Sequence, residues 1–267
     1  MLRLTDKEFD FIVNFMKCNY GINLINKRQL IESRLTNTLA ERNITSFTDY
    51  FEILKKHDNN EISLVINKLT TNHTYFMREP QHFRFLTNTI LPYHEKNNRN
   101  KDIRIWSAGC SSGEEAYTTT MTIKDYFGAN ASLWDTTILA TDISTNVLEL
   151  AKTKIYEEDS LKDVPPSWKQ KYFISKGNGF YDLKPAIRNE VVYRTFNLME
   201  TFKYKKPFDL IFCRNVMIYF DQPTKNALIN KFYDALNPGG YLFIGMSESV
   251  QRDKTNFKYI QPSIYQK

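Results

Sequence analysis

A change of hydrophobic period part-way along the chain constrains its fold more than any other feature. Up to about Met77, apolar residues recur at helical spacing: Phe9, Ile12, Val13 and Met16, then Ile31, Leu35 and Leu39, then Tyr50, Phe51 and Leu54. Positions three and four apart share one helix face, so this spacing predicts amphipathic helices. Thr5 or Asp6 can cap the first helix, and Ser46 or Thr48 a later one. From Asp102 the pattern becomes short apolar runs alternating with helical stretches. Residues 103–109 read as a buried strand running into a glycine loop, and 112–118 as the start of a helix. Residues 137–142 predict a second strand, followed by a helix over 144–154. Residues 208–213 are a further apolar strand, followed by a helix over 223–236. Asn237-Pro-Gly-Gly240 has turn chemistry, and 241–245 returns to strand. Strands alternating with helices imply a mostly parallel, doubly wound sheet.

One segment breaks that rhythm. Tyr172-Phe-Ile-Ser and Gly179-Phe-Tyr-Asp-Leu flank a Gly-Asn-Gly turn, which predicts a β-hairpin. Residues 189–195 then resume the main sheet. The expected organisation is a helical N-terminal domain over 1–77 and an α/β domain over 78–267. A small β-subdomain is inserted in the latter at about 155–190.

Composition narrows the function classes. With 42% hydrophobic residues the chain can bury a core without disulfide staples. Its three cysteines, Cys18, Cys110 and Cys213, have no metal-ligand spacing, and the four histidines form no HExxH pair. No metal site is expected. No apolar run approaches the roughly 20 residues of a membrane helix, and the opening residues are too polar for a secretory signal. A cytoplasmic protein without membrane insertion is expected. The net charge is +6, with twelve Lys/Arg against seven Asp/Glu between Lys152 and Lys206. The charges are interleaved, as on a solvated basic face.

Ligands of open α/β sheets bind beyond the carboxyl ends of the strands. After the first strand comes Ala108-Gly-Cys-Ser-Ser-Gly-Glu-Glu115. This is not the GxGxxG of dinucleotide-binding enzymes, and two glutamates would repel a phosphate placed there. A ligand carrying an amino group or a sulfonium suits the loop better. After the second strand, Asp142 can accept from both hydroxyls of a ribose, or else cap the helix that follows. Arg214 and Asn215, at the end of an apolar strand, have little structural reason to be there.

Five stretches in this order resemble the CheR-type chemotaxis receptor methyltransferases, which are protein-glutamate O-methyltransferases. They are Thr70-Thr-Asn-His-Thr-Tyr-Phe-Met-Arg-Glu79, Trp106-Ser-Ala-Gly-Cys-Ser-Ser-Gly-Glu-Glu115, Ala140-Thr-Asp-Ile143, Phe208-Asp-Leu-Ile-Phe-Cys-Arg-Asn-Val-Met-Ile-Tyr-Phe-Asp221 and Gly240-Tyr-Leu-Phe-Ile-Gly-Met-Ser-Glu-Ser249. The resemblance spans nearly the whole chain and implies a Rossmann-like fold with S-adenosyl-L-methionine as cofactor. By matching positions it places Asn72, Thr74, Arg78, Gly109, Glu115, Asp142, Asn197, Leu198, Asn215 and Val216 at the cofactor. Arg78, Arg214 and Tyr219 are implied on the reaction side. Met77 stands where the family usually has a second Phe, and a change of packing rather than of chemistry is expected there.

The implied acceptor is a glutamate in the cytoplasmic helical region of a chemotaxis receptor, modified by a monomeric enzyme. Lys27 and Arg34, with Arg28 and Arg42 nearby, would present a basic helix face to that acidic surface. The inserted hairpin resembles the family's receptor-docking subdomain, which in some members grips a C-terminal receptor peptide. The short Gly177-Asn-Gly179 loop leads us to expect no such tether. Two rival readings are a nucleic-acid methyltransferase and a module that binds S-adenosylmethionine without catalysis. The first lacks the Asn/Asp-Pro-Pro-aromatic run of amino-methylating DNA enzymes, and the second would not need Arg78, Arg214 and Tyr219 together.

Overall fold

The computed structural model describes residues 2–267. Four helices come first: α1 (Asp6–Tyr20), α2 (Arg28–Glu41), α3 (Phe47–Leu54) and α4 (Asn59–Leu69). Thr5 caps α1 in a reciprocal capping box with Glu8, and Ser46 caps α3 through the Asp49 N–H. Ile12, Met16, Ile31, Leu35, Leu39, Tyr50 and Leu54 are fully enclosed, so the helical spacing picks out the face that is buried.

A segment on which the sequence reading is silent follows. Helix α5 (Gln81–Phe85) passes through a π-helical turn at Leu86–Ile90 into α6 (Leu91–Asn97). The alternating region comprises β1 (Ile105–Ala108), α7 (Glu114–Phe127), β2 (Ile138–Asp142) and α8 (Thr145–Thr153). The insertion holds β3 (Tyr156–Glu157), α9 (Pro166–Tyr172), β4 (Phe173–Gly177), β5 (Phe180–Leu183) and α10 (Pro185–Arg188). The chain returns with β6 (Val191–Thr195), β7 (Phe208–Cys213), α11 (Gln222–Ala235), β8 (Leu236–Ile244), β9 (Lys258–Gln261) and β10 (Ile264–Gln266).

The main sheet has the order β6-β2-β1-β7-β8-β10-β9. Its first five strands are parallel, and β10 and β9 add an antiparallel edge that the sequence reading did not anticipate. Strands β3, β5 and β4 form a separate antiparallel sheet. Asn178 and Gly179 both have positive φ between β4 and β5, as a two-residue Asn-Gly hairpin turn requires. One expectation changes. Asn237-Pro-Gly-Gly240 is not a turn between helix and strand, because β8 begins at Leu236 and pairs with Phe208. The glycines fall where the register shifts between Phe208 and Leu210, so they mark an irregularity inside the ladder.

Alternate residues of the strands face opposite sides of the sheet. Trp106, Ile211, Leu242 and Ile244 join one core with α11 and the buried faces of α1–α4. Ile105, Phe212 and Phe243 join the other with α5, α6 and α7. The N-terminal helices therefore share a continuous apolar core with one face of the sheet.

The basic face expected on α2 is largely committed inside the helical layer. Arg34 Nη1 donates to the carbonyls of Lys68 and Thr70 at 2.9 and 3.0 Å, which ties down the end of α4. Arg28 bonds the Leu4 carbonyl and Asp6, and Arg42 pairs with Glu61. Lys27 alone of the four has neither an ion pair nor a side-chain hydrogen bond among the described residues. Arg34→Met keeps the aliphatic stem but removes charge-assisted bonds worth roughly 1.5–3 kcal/mol. It should lower the urea midpoint at unchanged slope, and an unshifted midpoint would show that these bonds add nothing.

Candidate active site

The strand order reverses direction between β1 and β7, and that switch point is where an open sheet leaves a crevice. A cavity of about 260 Å³ lies there. It is lined by the loops after β1, β2, β6 and β7 and by residues 70–75 together with Arg78 from the connection between α4 and α5. Every residue named from the sequence lines it: Asn72, Thr74, Arg78, Gly109, Glu115, Asp142, Asn197, Leu198, Arg214, Asn215, Val216 and Tyr219.

Gly109 turns the chain out of β1 with φ +86°, and a Cβ there would lie 2.4 Å from Val216 Cγ2. Only glycine lets the two strand-end loops approach this closely. Asp142 does not cap α8, since Ser144 does so through the Val147 N–H. Its carboxylate instead accepts from the Ser111 N–H at 2.9 Å and the Ser144 N–H at 3.0 Å, one on each oxygen. Burial raises its pKa, although these backbone donors oppose the rise.

The two arginines have different roles. The Arg214 side chain is only 2% exposed. Its Nε lies 3.2 Å from Glu79 Oε2 and its Nη1 3.3 Å from Glu115 Oε2, while Nη2 donates to the Arg78 carbonyl. Glu115 also accepts from Ser107 Oγ at 2.6 Å, and burial raises its pKa against the pull of Arg214. Arg78 makes no ion pair among the described residues. Its guanidinium donates to the His73 carbonyl at 2.6 Å and sits over the Tyr75 ring. Met77 and Glu79 on either side of it have φ +60° and +56°. Non-glycine residues adopt this conformation at a cost, typically where function requires it.

Tyr219 lines the cavity, and its hydroxyl is engaged by the chain itself. Its hydroxyl donates to the Thr71 carbonyl at 3.1 Å and accepts from the Thr71 N–H at 2.9 Å. These bonds tie Tyr219 to the α4–α5 connection at the cavity wall. The Asn197 side chain is likewise engaged, with the Asn19 carbonyl and the Met199 N–H. Cys110 and Cys213 are enclosed, and burial pushes both thiols well above their ordinary pKa, so neither is a nucleophile.

Sequence reasoning assigned no role to Glu79 or Glu248. Besides holding Arg214, Glu79 accepts from the Met246 N–H at 3.1 Å. Its Oε2 is 3.5 Å from Nδ1 of His82, which burial beside Arg214 keeps neutral with a pKa lowered to about 3. Glu248 accepts from the N–H groups of Gly245 at 2.7, Asn215 at 2.9 and Ile218 at 3.1 Å. The available signal was a lone acid directly after an apolar strand, in Gly245-Met-Ser-Glu248.

Comparison with known proteins gives a consistent result. Residues 72–265 match the family model described as CheR methyltransferase, SAM binding domain, and residues 7–70 match CheR methyltransferase, all-alpha domain. The chain is 45% identical to a chemotaxis protein methyltransferase of Borreliella burgdorferi, covering 100% of this chain and 96% of that one. It is 35% identical to that of Escherichia coli, covering 99% and 92%, and 34% identical to chemotaxis protein methyltransferase 1 of Pseudomonas aeruginosa, covering 96% and 95%.

S-adenosylmethionine is thus the cofactor, and the cavity's donor set suits it. Asn215 Oδ1 is buried without a hydrogen-bond partner, an acceptor that a ligand donor would satisfy. Arg78 is a cation free for a ligand carboxylate, and Asp142 keeps lone pairs for hydroxyls. Glu115 and Asp142 line a site with no phosphate to repel. The loop bearing Asn215 depends on Glu248. Glu248→Ala would orphan three N–H donors, at about 1–3 kcal/mol each. We expect a stability loss of roughly 3 kcal/mol or more in chemical denaturation, with weakened S-adenosylhomocysteine binding by calorimetry. Wild-type values for both would remove Glu248 from this role.

Proposed function

This chain belongs to the CheR methyltransferase family, and from that premise we propose that it methylates glutamate side chains in the cytoplasmic helical region of chemotaxis receptors, giving methyl esters. The observation that carries this reading is the contrast between the two cavity arginines. Arg214 is neutralised by Glu79 and Glu115, whereas Arg78 points a guanidinium with no acidic partner into the same space.

The cofactor, when bound, supplies an electrophilic methyl group on a sulfonium. A glutamate acceptor has a reference pKa near 4.3 and is already the nucleophile at neutral pH, so no residue of this chain need remove a proton. The contribution of the protein is alignment and exclusion of water. Arg78 orients a carboxylate, that of the cofactor or that of the acceptor. Arg214 acts through Arg78 by holding its backbone carbonyl, which makes it a positioning residue. The Tyr219 ring and the latched Thr71 close the wall. Asp142 takes hydroxyl donors, and Asn215 Oδ1 takes a further one. A soluble, cytoplasmic, monomeric enzyme fits this reading, and among the described residues no helix is long and apolar enough to cross a membrane.

The decisive experiment incubates the protein with methyl-labelled S-adenosylmethionine and receptor-bearing membranes, then adds mild alkali. Carboxyl methyl esters release volatile labelled methanol, and a base-labile receptor band is expected. Base-stable label would reject glutamate as acceptor. No label with cofactor binding intact would favour a binding module. Arg78→Ala should lose about 1.5–3 kcal/mol of a charge-assisted contact, read as weaker cofactor binding or slower turnover at unchanged melting temperature. Asp142→Ala should weaken cofactor binding about tenfold, or about 1.4 kcal/mol. Hydroxyl donors favour the ionised Asp142 carboxyl, whose pKa burial raises. Wild-type affinity is therefore full above that raised pKa and falls as the pH drops through it, a dependence the alanine variant should lack.

A further inference from the structure

A second cavity, of about 220 Å³, lies over β1 and β2 on the sheet face that carries Trp106, with Phe196 between it and the main cavity. Its origin is topological. The connection from β6 to β7 must pass over β2 and β1, a crossover usually made by a helix. Residues 196–207 contain no helix. Aromatic side chains cover the sheet instead. Phe202, Phe208 and Phe196 stand around the buried Trp106 ring with centroids 5.0, 5.4 and 6.0 Å away.

Two cations border this aromatic chamber. Arg194 is exposed, makes no ion pair among the described residues, and donates only to the Tyr193 carbonyl beside it. Lys203 is exposed and also makes no ion pair among the described residues. By contrast, the lysines of the inserted subdomain mostly face acids, as with Lys169 and Glu158, Lys171 and Asp125, and Lys176 and Asp182. Flat aromatic walls accept a planar ring by stacking, and an unpaired guanidinium and ammonium accept an anionic group.

We propose that this cavity is a second ligand site, distinct from the cofactor site, for a planar aromatic anion of nucleoside-monophosphate class. The ring lies against Phe202 and Tyr204, lining aromatics that are not enclosed, and the phosphate lies between Arg194 and Lys203. Binding of adenosine monophosphate is measured by calorimetry with the protein saturated in S-adenosylhomocysteine, so that the main cavity is filled. Indole-3-acetate serves as a second probe with a carboxylate in place of phosphate. Saturable binding of the nucleotide is expected, weakened at least tenfold in Arg194→Glu/Lys203→Glu, with S-adenosylhomocysteine affinity unchanged in that variant. Binding of indole-3-acetate as well would support an aromatic-anion site of wider tolerance. The proposal is overturned if the nucleotide does not bind the S-adenosylhomocysteine-saturated protein, or if it binds the charge-reversed variant equally well.

Discussion

One buried cation organises the site. Arg214 leaves the end of β7 into an enclosed space where an unpaired guanidinium would be strongly disfavoured. Glu79 and Glu115 both reach it, one from just before α5 and one from the first turn of α7. Its remaining donor takes the Arg78 carbonyl. One charge thus fixes three segments that are distant in sequence, and it does so through charge-assisted bonds whose geometry is demanding. Breaking such a group by removing one partner typically costs about 3–5 kcal/mol, so the arrangement is held as a unit. With Arg214 held by two carboxylates, Arg78 is the arginine of the cavity wall left without an acidic partner among the described residues.

The backbone follows the same logic. Arg78 sits between two residues in the left-handed region, Met77 and Glu79. The Met77 N–H bonds Thr118 Oγ1 on α7, and the Glu79 side chain is held by Arg214 and the Met246 N–H. The surroundings thus supply the bonds that keep an unfavourable conformation in place. The second glutamate, Glu248, does the same for the loop of Asn215, another left-handed residue.

Much of this architecture was legible in the sequence because it rests on local signals. The switch from helical period to alternating strands is written in apolar spacing, and the caps at Thr5 and Ser46 in single residues. The Asn178-Gly179 turn announces itself by composition. What stayed hidden depends on partners far along the chain. Nothing near Arg34 says that its guanidinium closes the end of α4, so a face that reads as open to an acidic partner is internally tied. Nothing near Tyr219 says that its hydroxyl is taken up by the Thr71 backbone. Glu79 and Glu248 stand inside the motifs with nothing to mark their role, since a carboxylate that holds backbone N–H groups has the same letter as one on the surface. The π-helical turn and the β9–β10 edge lack a strong period and were not anticipated.

The continuous core beneath the N-terminal helices has a consequence for how the chain is made. Ile31, Leu35 and Leu39 belong to the same apolar cluster as Leu242 and Ile244. During synthesis the helices emerge first, and chains grow at about 5–20 residues per second. On the order of ten seconds therefore separates completion of α4 from arrival of β8. Throughout that interval the first-made helices lack part of the surface that will enclose them. This nascent segment is where a holding chaperone would have the most exposed apolar surface to grip.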